Sequence, residues 1–128
     1  MEEILYKLDD FELYKQAREF RKRVYSVIKQ LPPEEKYALD PQMRKAAISV
    51  TNNIAEGHGR WHFQENIQFC RISRGSIEEI IDDINTCIDE GYCKEIKFNE
   101  LKDEAYNLIK QINSYLAYLK SKKSELNR

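Results

Sequence analysis

Ser49-Val50-Thr51-Asn52-Asn53-Ile54-Ala55-Glu56-Gly57-His58-Gly59-Arg60 is the stretch on which the reading of this chain turns. Val50, Ile54 and Gly57 extend a seam begun by Met43 and Ala47 in steps of four and three, the spacing of one buried helix face. Polar and small residues crowd the same segment, at several places where a chain selected for folding alone would carry Leu or Ala. A second such stretch, Arg74-Gly75-Ser76-Ile77-Glu78-Glu79, sits inside another apolar seam downstream. The seams specify helices; the polar residues on them specify something further.

Working outward, three more seams have the same period. The first helix carries Leu13, Ala17, Phe20, Val24, Val27 and Leu31, with Asp9 or Asp10 as N-cap and Pro32-Pro33 as its stop. Asp40-Pro41 reads as a capping carboxylate and a first-turn proline opening the second helix. The third carries Cys70, Ser73, Ile77, Ile80, Ile84 and Cys87 and ends at Gly91, which supplies a left-handed terminus. Leu101, Ala105, Leu108, Ile112, Tyr115 and Leu119 mark the fourth, which is expected to fray into the tail from Lys120 to Arg128. The spacing predicts helices over about 10–31, 41–58, 62–90 and 96–122. The connections are short: the double proline, the corner His58 to His62, and Tyr92 to Ile96. Short links make neighbouring helices antiparallel, so the expected fold is all-α: one domain, an up-down-up-down four-helix bundle.

Composition agrees. Of 128 residues, 34% are charged and 41% hydrophobic, with only 4 Gly and 3 Pro, which suits long helices rather than a turn-rich β fold. No apolar run approaches the roughly 20 residues that span a bilayer. The acidic start Met1-Glu2-Glu3-Ile4-Leu5 lacks a signal peptide's apolar core. Cys70, Cys87 and Cys93 are odd in number and form no C-x-x-C pair, as expected of reduced thiols in a cytoplasmic protein.

A net charge of −1 excludes a wholesale attraction to nucleic acid, but the charge is segregated. Lys15, Arg18, Arg21, Lys22 and Arg23 crowd the first helix, while Glu78, Glu79, Asp82, Asp83, Asp89 and Glu90 form a run without an interspersed base. A second apolar set flanks the seams, including Tyr14, Tyr25, Ile28, Ile67, Ile109 and Leu116. Ile81 and Ile88, set among acidic residues, are hard to hide in one small bundle, and they predict a homo-oligomer.

Asn53, Glu56, Ser76 and Glu79 are expected to meet as a polar cluster between the second and third helices, fixing their register. Gly75 would let the two backbones draw together there, compensating the roughly 1 kcal/mol that a helical glycine costs. The competing reading makes Glu56, Glu79 and His58 an active site. No Glu-x-x-His pairs face one another, His58 and His62 are separated by a glycine-flanked corner, and no phosphate loop or nucleophile set is present. The expectation is therefore no catalysis, no metal and no cofactor. Binding remains. Trp61, beside Arg60, suits base stacking or a protein hot spot, or else caps the core. Lys15, Arg18, Lys22, Arg44 and Lys45 offer a basic face, unless they pair with Glu12, Glu19 and the acidic run.

From Phe11-Glu12-Leu13-Tyr14-Lys15 to Gly91-Tyr92 the chain resembles the four-helix bundle, or 23S rRNA intervening-sequence, protein family. The resemblance is carried by Leu31-Pro32, Glu35-Lys36-Tyr37, Gln42-Met43-Arg44-Lys45-Ala46-Ala47, Asn53-Ile54-Ala55-Glu56-Gly57, Gly59-Arg60, Gly75-Ser76 and Glu79. The chain departs from the family pattern at His62, where Ser or Thr often caps the third helix, at Ser73 for alanine, and at Asp82-Asp83 for Thr-Gln. The resemblance implies a pentameric, non-catalytic scaffold associated with RNA or an RNA–protein complex. Related accessory proteins of diversity-generating retroelements are partners of a reverse transcriptase and its template RNA. They tend to be strongly basic, unlike this chain. A protein-only interaction module is the remaining alternative.

Overall fold

The computed structural model describes residues 7–92 and 95–126. Four α-helices account for nearly all of it: α1 Glu12–Ile28, α2 Leu39–Arg60, α3 Phe63–Glu90 and α4 Glu95–Leu126. Cross-links fix their directions. Arg21 and Thr51 meet across α1 and α2, and Phe11 stacks on His58 near the far end of that pair. Gln42 at the start of α2 bonds Asp83 late in α3, whereas Gly57 near the end of α2 touches Asn66 early in α3. Lys102 reaches Asn85 and Arg74 reaches Asn113 between α3 and α4, and Arg23 pairs with Glu104 to close α4 on α1. Every neighbouring pair is antiparallel, and the fold is the up-down-up-down bundle.

The core is the four seams brought face to face. Ala17, Val24, Met43, Val50, Ile54, Ile77, Ile80, Ile84, Ala105 and Ile112 are sealed from solvent. Each large apolar side chain so buried contributes about 1.5–3 kcal/mol. Ile81 is buried and Ile88 packs against the core. One subunit therefore accommodates the two isoleucines whose exposure was the sequence argument for an oligomer. They are reached by the width of the α3 stripe, which contacts α2 on one side and α4 on the other.

Helix ends depart from expectation for local reasons. Asp9 and Asp10 lie in a 3₁₀ turn, Leu8–Asp10, and Phe11 occupies the N-cap of α1 without a side-chain cap. α1 stops at Ile28, before Leu31, because a residue preceding proline is pushed out of the helical region. Gln30 and Leu31 instead make tight i→i−3 bonds to Val27 and Ile28. Asp40 is not the cap of α2. Glu35, from the 3₁₀ turn Pro33–Glu35, accepts the Leu39 N–H at 3.4 Å, while Asp40 sits in the first turn and binds Arg44 at 2.7 Å. α4 does not fray at Lys120 but stays helical to Leu126.

Two corners close the bundle differently. α3 ends in a complete Schellman motif: Gly91 at φ 67°, with Tyr92 N–H donating to Cys87 O and Gly91 N–H to Ile88 O, both at 3.1 Å. Between α2 and α3 the helix runs straight through Gly57 and Gly59, and the left-handed residue is Trp61, at φ 56°. His62 then caps α3, its Nδ1 accepting the Glu65 N–H at 3.4 Å, so the imidazole takes the role that Ser or Thr plays elsewhere. Cys70 and Cys87 are buried, and Cys93 lies outside the described residues.

Candidate functional site

The polar residues of α2 and α3 form a ladder along their shared seam. Ser49 is its hub: its hydroxyl lies 2.7 Å from that of Ser76 and accepts from Asn53 Nδ2 at 3.0 Å. Asn53 Nδ2 also donates to Ser49 O, and Ser76 to Ile72 O. One turn nearer the corner, the fully buried Ser73 hydroxyl donates to Val50 O at 2.8 Å, tying side chain to backbone across the helix pair. Asn66 donates to the Tyr115 hydroxyl at 2.9 Å and extends the ladder to α4. Buried groups satisfied in this way hold two helices in a single register.

Of the four residues expected to cluster, the structure joins Asn53 and Ser76, through Ser49. Glu56 stays on the surface in an ion pair with Arg60 at 3.2 Å. Glu79 is exposed on the rim of an open groove between α2 and α3 of about 490 Å³. Gly75 also borders that groove, and a Cβ built there would meet nothing within 4 Å. The close approach belongs to Gly57, where a Cβ would lie 2.6 Å from Asn66 Oδ1 and 3.1 Å from Phe69 Cβ. His58 is half-buried against the Phe11 ring at 5.4 Å, and burial lowers its pKa. Thus Glu56, Glu79 and His58 serve three different places. Among the described residues no group of three or more His, Cys, Asp or Glu side chains is arranged to hold a metal ion.

A buried carboxyl was missed by the sequence reading. Asp83 is 2% exposed, its Oδ1 accepts from Gln42 Nε2 at 2.6 Å, and its Oδ2 has no hydrogen-bond partner among the described residues. Burial, opposed by the Gln42 bond and reinforced by Asp82 and Glu79, pushes this carboxyl up to about 6. The i+41 separation from Gln42 is invisible in a local pattern, although an acid continuing the Ser73, Ser76 and Ile80 face was a signal.

The basic residues are placed on three sides. On α1, Lys15 is 3.9 Å from Glu12, Arg18 is 4.0 Å from Asp9, and Lys22 is 3.1 Å from Glu19. Arg44 on α2 pairs with Asp40 and lies over the Tyr25 ring at 5.2 Å, much as Arg18 lies over Tyr14 at 5.9 Å. Their partners are local carboxylates and not the acidic run of α3. Lys45 is exposed beside the α2–α3 groove. Arg60 contacts Glu56, Glu65 and the Phe69 ring, and Trp61 next to it is 57% exposed. A bulky residue in the left-handed region is strained by about 1–2 kcal/mol, so the corner holds its indole outward at some cost.

The family model for 23S rRNA-intervening sequence proteins matches residues 9–114, a span that contains the cap, the α2–α3 part of the ladder and both glycine sites. The chain belongs to that family. A similar solved structure is the 1.70 Å crystal structure of a protein of unknown function from the S23 ribosomal protein family of Bacteroides thetaiotaomicron. The two share 16% identity and a TM-score of 0.75, over 81% of this family member and 97% of the other chain. At that identity the likeness concerns the fold. No curated protein matches the chain. Among the described residues no helix is long and apolar enough to cross a membrane.

Proposed function

We propose that this member of the 23S rRNA-intervening sequence protein family is a non-catalytic, self-associating scaffold that binds RNA or an RNA–protein complex. The observation that carries the reading is the fate of its polar seam. Ser49, Asn53, Ser73 and Ser76 bond one another and backbone carbonyls, while Glu56 pairs with Arg60 and His58 packs on Phe11. A site of that kind orients helices and performs no chemistry. The surface then carries the function. Exposed Ile48 and Ile72, on the adjacent helices α2 and α3, favour burial against a second copy, and the resemblance sets the expected ring at five. Repetition around a ring multiplies each subunit's basic residues, so a near-neutral chain still presents several phosphate contacts to one RNA. Arg18 and Arg44, held over tyrosine rings, keep their guanidinium groups ordered at the surface.

Fluorescence anisotropy with labelled RNA over a salt series tests this. Affinity is expected to fall steeply with salt, and Arg18→Glu with Lys22→Glu to weaken binding roughly tenfold. An affinity unmoved by that double change would remove the α1 face, and absence of any salt-dependent binding would remove RNA as the partner.

A further inference from the structure

Four of the five cations of α1 are matched by a carboxylate, and the fifth, Arg21, donates to Thr51; a different set has no counter-charge. α3 begins where α4 ends, and between them lies an open cleft of about 380 Å³ lined by Gln64, Ile67, Arg71, Lys120, Lys123 and Ser124. Three cations and two neutral hydrogen-bonding side chains face it, and its lining holds no carboxylate. Among the described residues none of Arg71, Lys120 and Lys123 forms an ion pair. Lys123 is nonetheless held in place, its ammonium donating to Gln64 Oε1 across the helix pair.

Lysines in the last turns of a helix also suit its negative end. That explanation covers Lys123 but not Arg71, which lies well inside α3 and faces the same space. Like charges gathered without a counter-charge repel one another, and an anion relieves the cost. The geometry points to a phosphate-binding site, and we propose that it takes the phosphodiester backbone of an RNA strand. Arginine offers a planar fork for phosphate oxygens and the two lysines offer point charges, while Ser124 and Gln64 complete the hydrogen bonding. Ile67 is the one apolar side chain lining the cleft. A small phosphorylated metabolite needs apolar walls around its organic part, whereas a backbone passing through an open cleft does not. Trp61, three residues before Gln64 at the same corner, leaves its exposed indole for a neighbouring base. The site rests on the RNA reading above and gives it a location.

The full-length protein is titrated with a labelled single-stranded RNA and, separately, with inorganic pyrophosphate while the Arg71 Nε–Hε resonance is followed. Lys120→Glu with Lys123→Glu is expected to weaken RNA binding by about tenfold or more and to lower the logarithmic salt slope by about 1.4, two single-strand phosphate contacts. Lys120→Arg with Lys123→Arg should retain affinity, and circular dichroism melting should confirm that both variants fold. RNA binding unchanged in the charge-reversed variant overturns the site while leaving the RNA reading intact. Pyrophosphate shifts at Arg71 without any RNA affinity overturn the RNA source and assign the cleft to a free phosphate compound. Binding of neither probe overturns both.

Discussion

Gly57→Val is expected to destabilise the protein by about 3 kcal/mol, read as a lower urea midpoint at an unchanged slope. A Cβ on residue 57 would lie 2.6 Å from Asn66 Oδ1, 3.1 Å from Phe69 Cβ and 3.3 Å from Asn66 Cα. Asn66 cannot simply swing aside. Its amide donates to the Tyr115 hydroxyl, its carbonyl oxygen accepts from the Cys70 thiol at 3.4 Å, and the residue is buried. Either α3 moves off α2 or the Asn66–Tyr115 link to α4 breaks. Gly75→Ala gives the contrasting result. No atom lies within 4 Å of its added methyl, so alanine should gain the roughly 1 kcal/mol it holds over glycine in a helix. A Gly57→Val protein as stable as the parent would mean that α2 and α3 are not in this register.

The second large effect is on pH dependence. Asp83 is raised from 3.8 to about 6, so the folded protein holds its proton more tightly than the unfolded chain does. The sign follows from that difference. Well below pH 4 both states are protonated and nothing is lost. As pH rises from about 4 to 6 the unfolded chain ionises first, and stability falls by roughly 2–3 kcal/mol before levelling. Asp83→Asn keeps an oxygen for Gln42 and removes the charge. It should therefore be more stable than the parent by about that amount at pH 7, with the advantage shrinking as pH falls and vanishing well below pH 4. Glu104, also raised by burial, contributes a loss of the same sign in both proteins and cancels in the comparison. Urea midpoints measured across that pH range decide it; parallel curves for the two proteins would contradict a buried, destabilised carboxylate.

The legible and illegible parts of this molecule divide along physical lines. Helical period depends on neighbours three and four residues apart, so Ala17, Met43, Ile77 and Ile112 revealed their core faces and the bundle with them. Helix ends depend on groups just outside the pattern. Pro32 acted backward through Leu31 to shorten α1, and Glu35 capped α2 from an earlier turn. Gly57 was rightly placed on the core seam, but the close approach was assigned to Gly75, because the rotation of α3 against α2 decides which glycine is approached and spacing does not encode rotation. Ser49 and Asp83 were passed over since their partners lie 27 and 41 residues away. Lys120 and Lys123 were read as part of a fraying tail; the longer α4 carries them to Arg71.

The central claim is that this family member holds RNA without acting on it chemically. Ultraviolet crosslinking in the native host, with recovery of the protein and sequencing of attached RNA, tests that most directly. Enrichment of one structured RNA over background, with crosslinked peptides from the Trp61 corner or the end of α4, is the predicted result. Intact, folded protein that carries no RNA above background would contradict the claim.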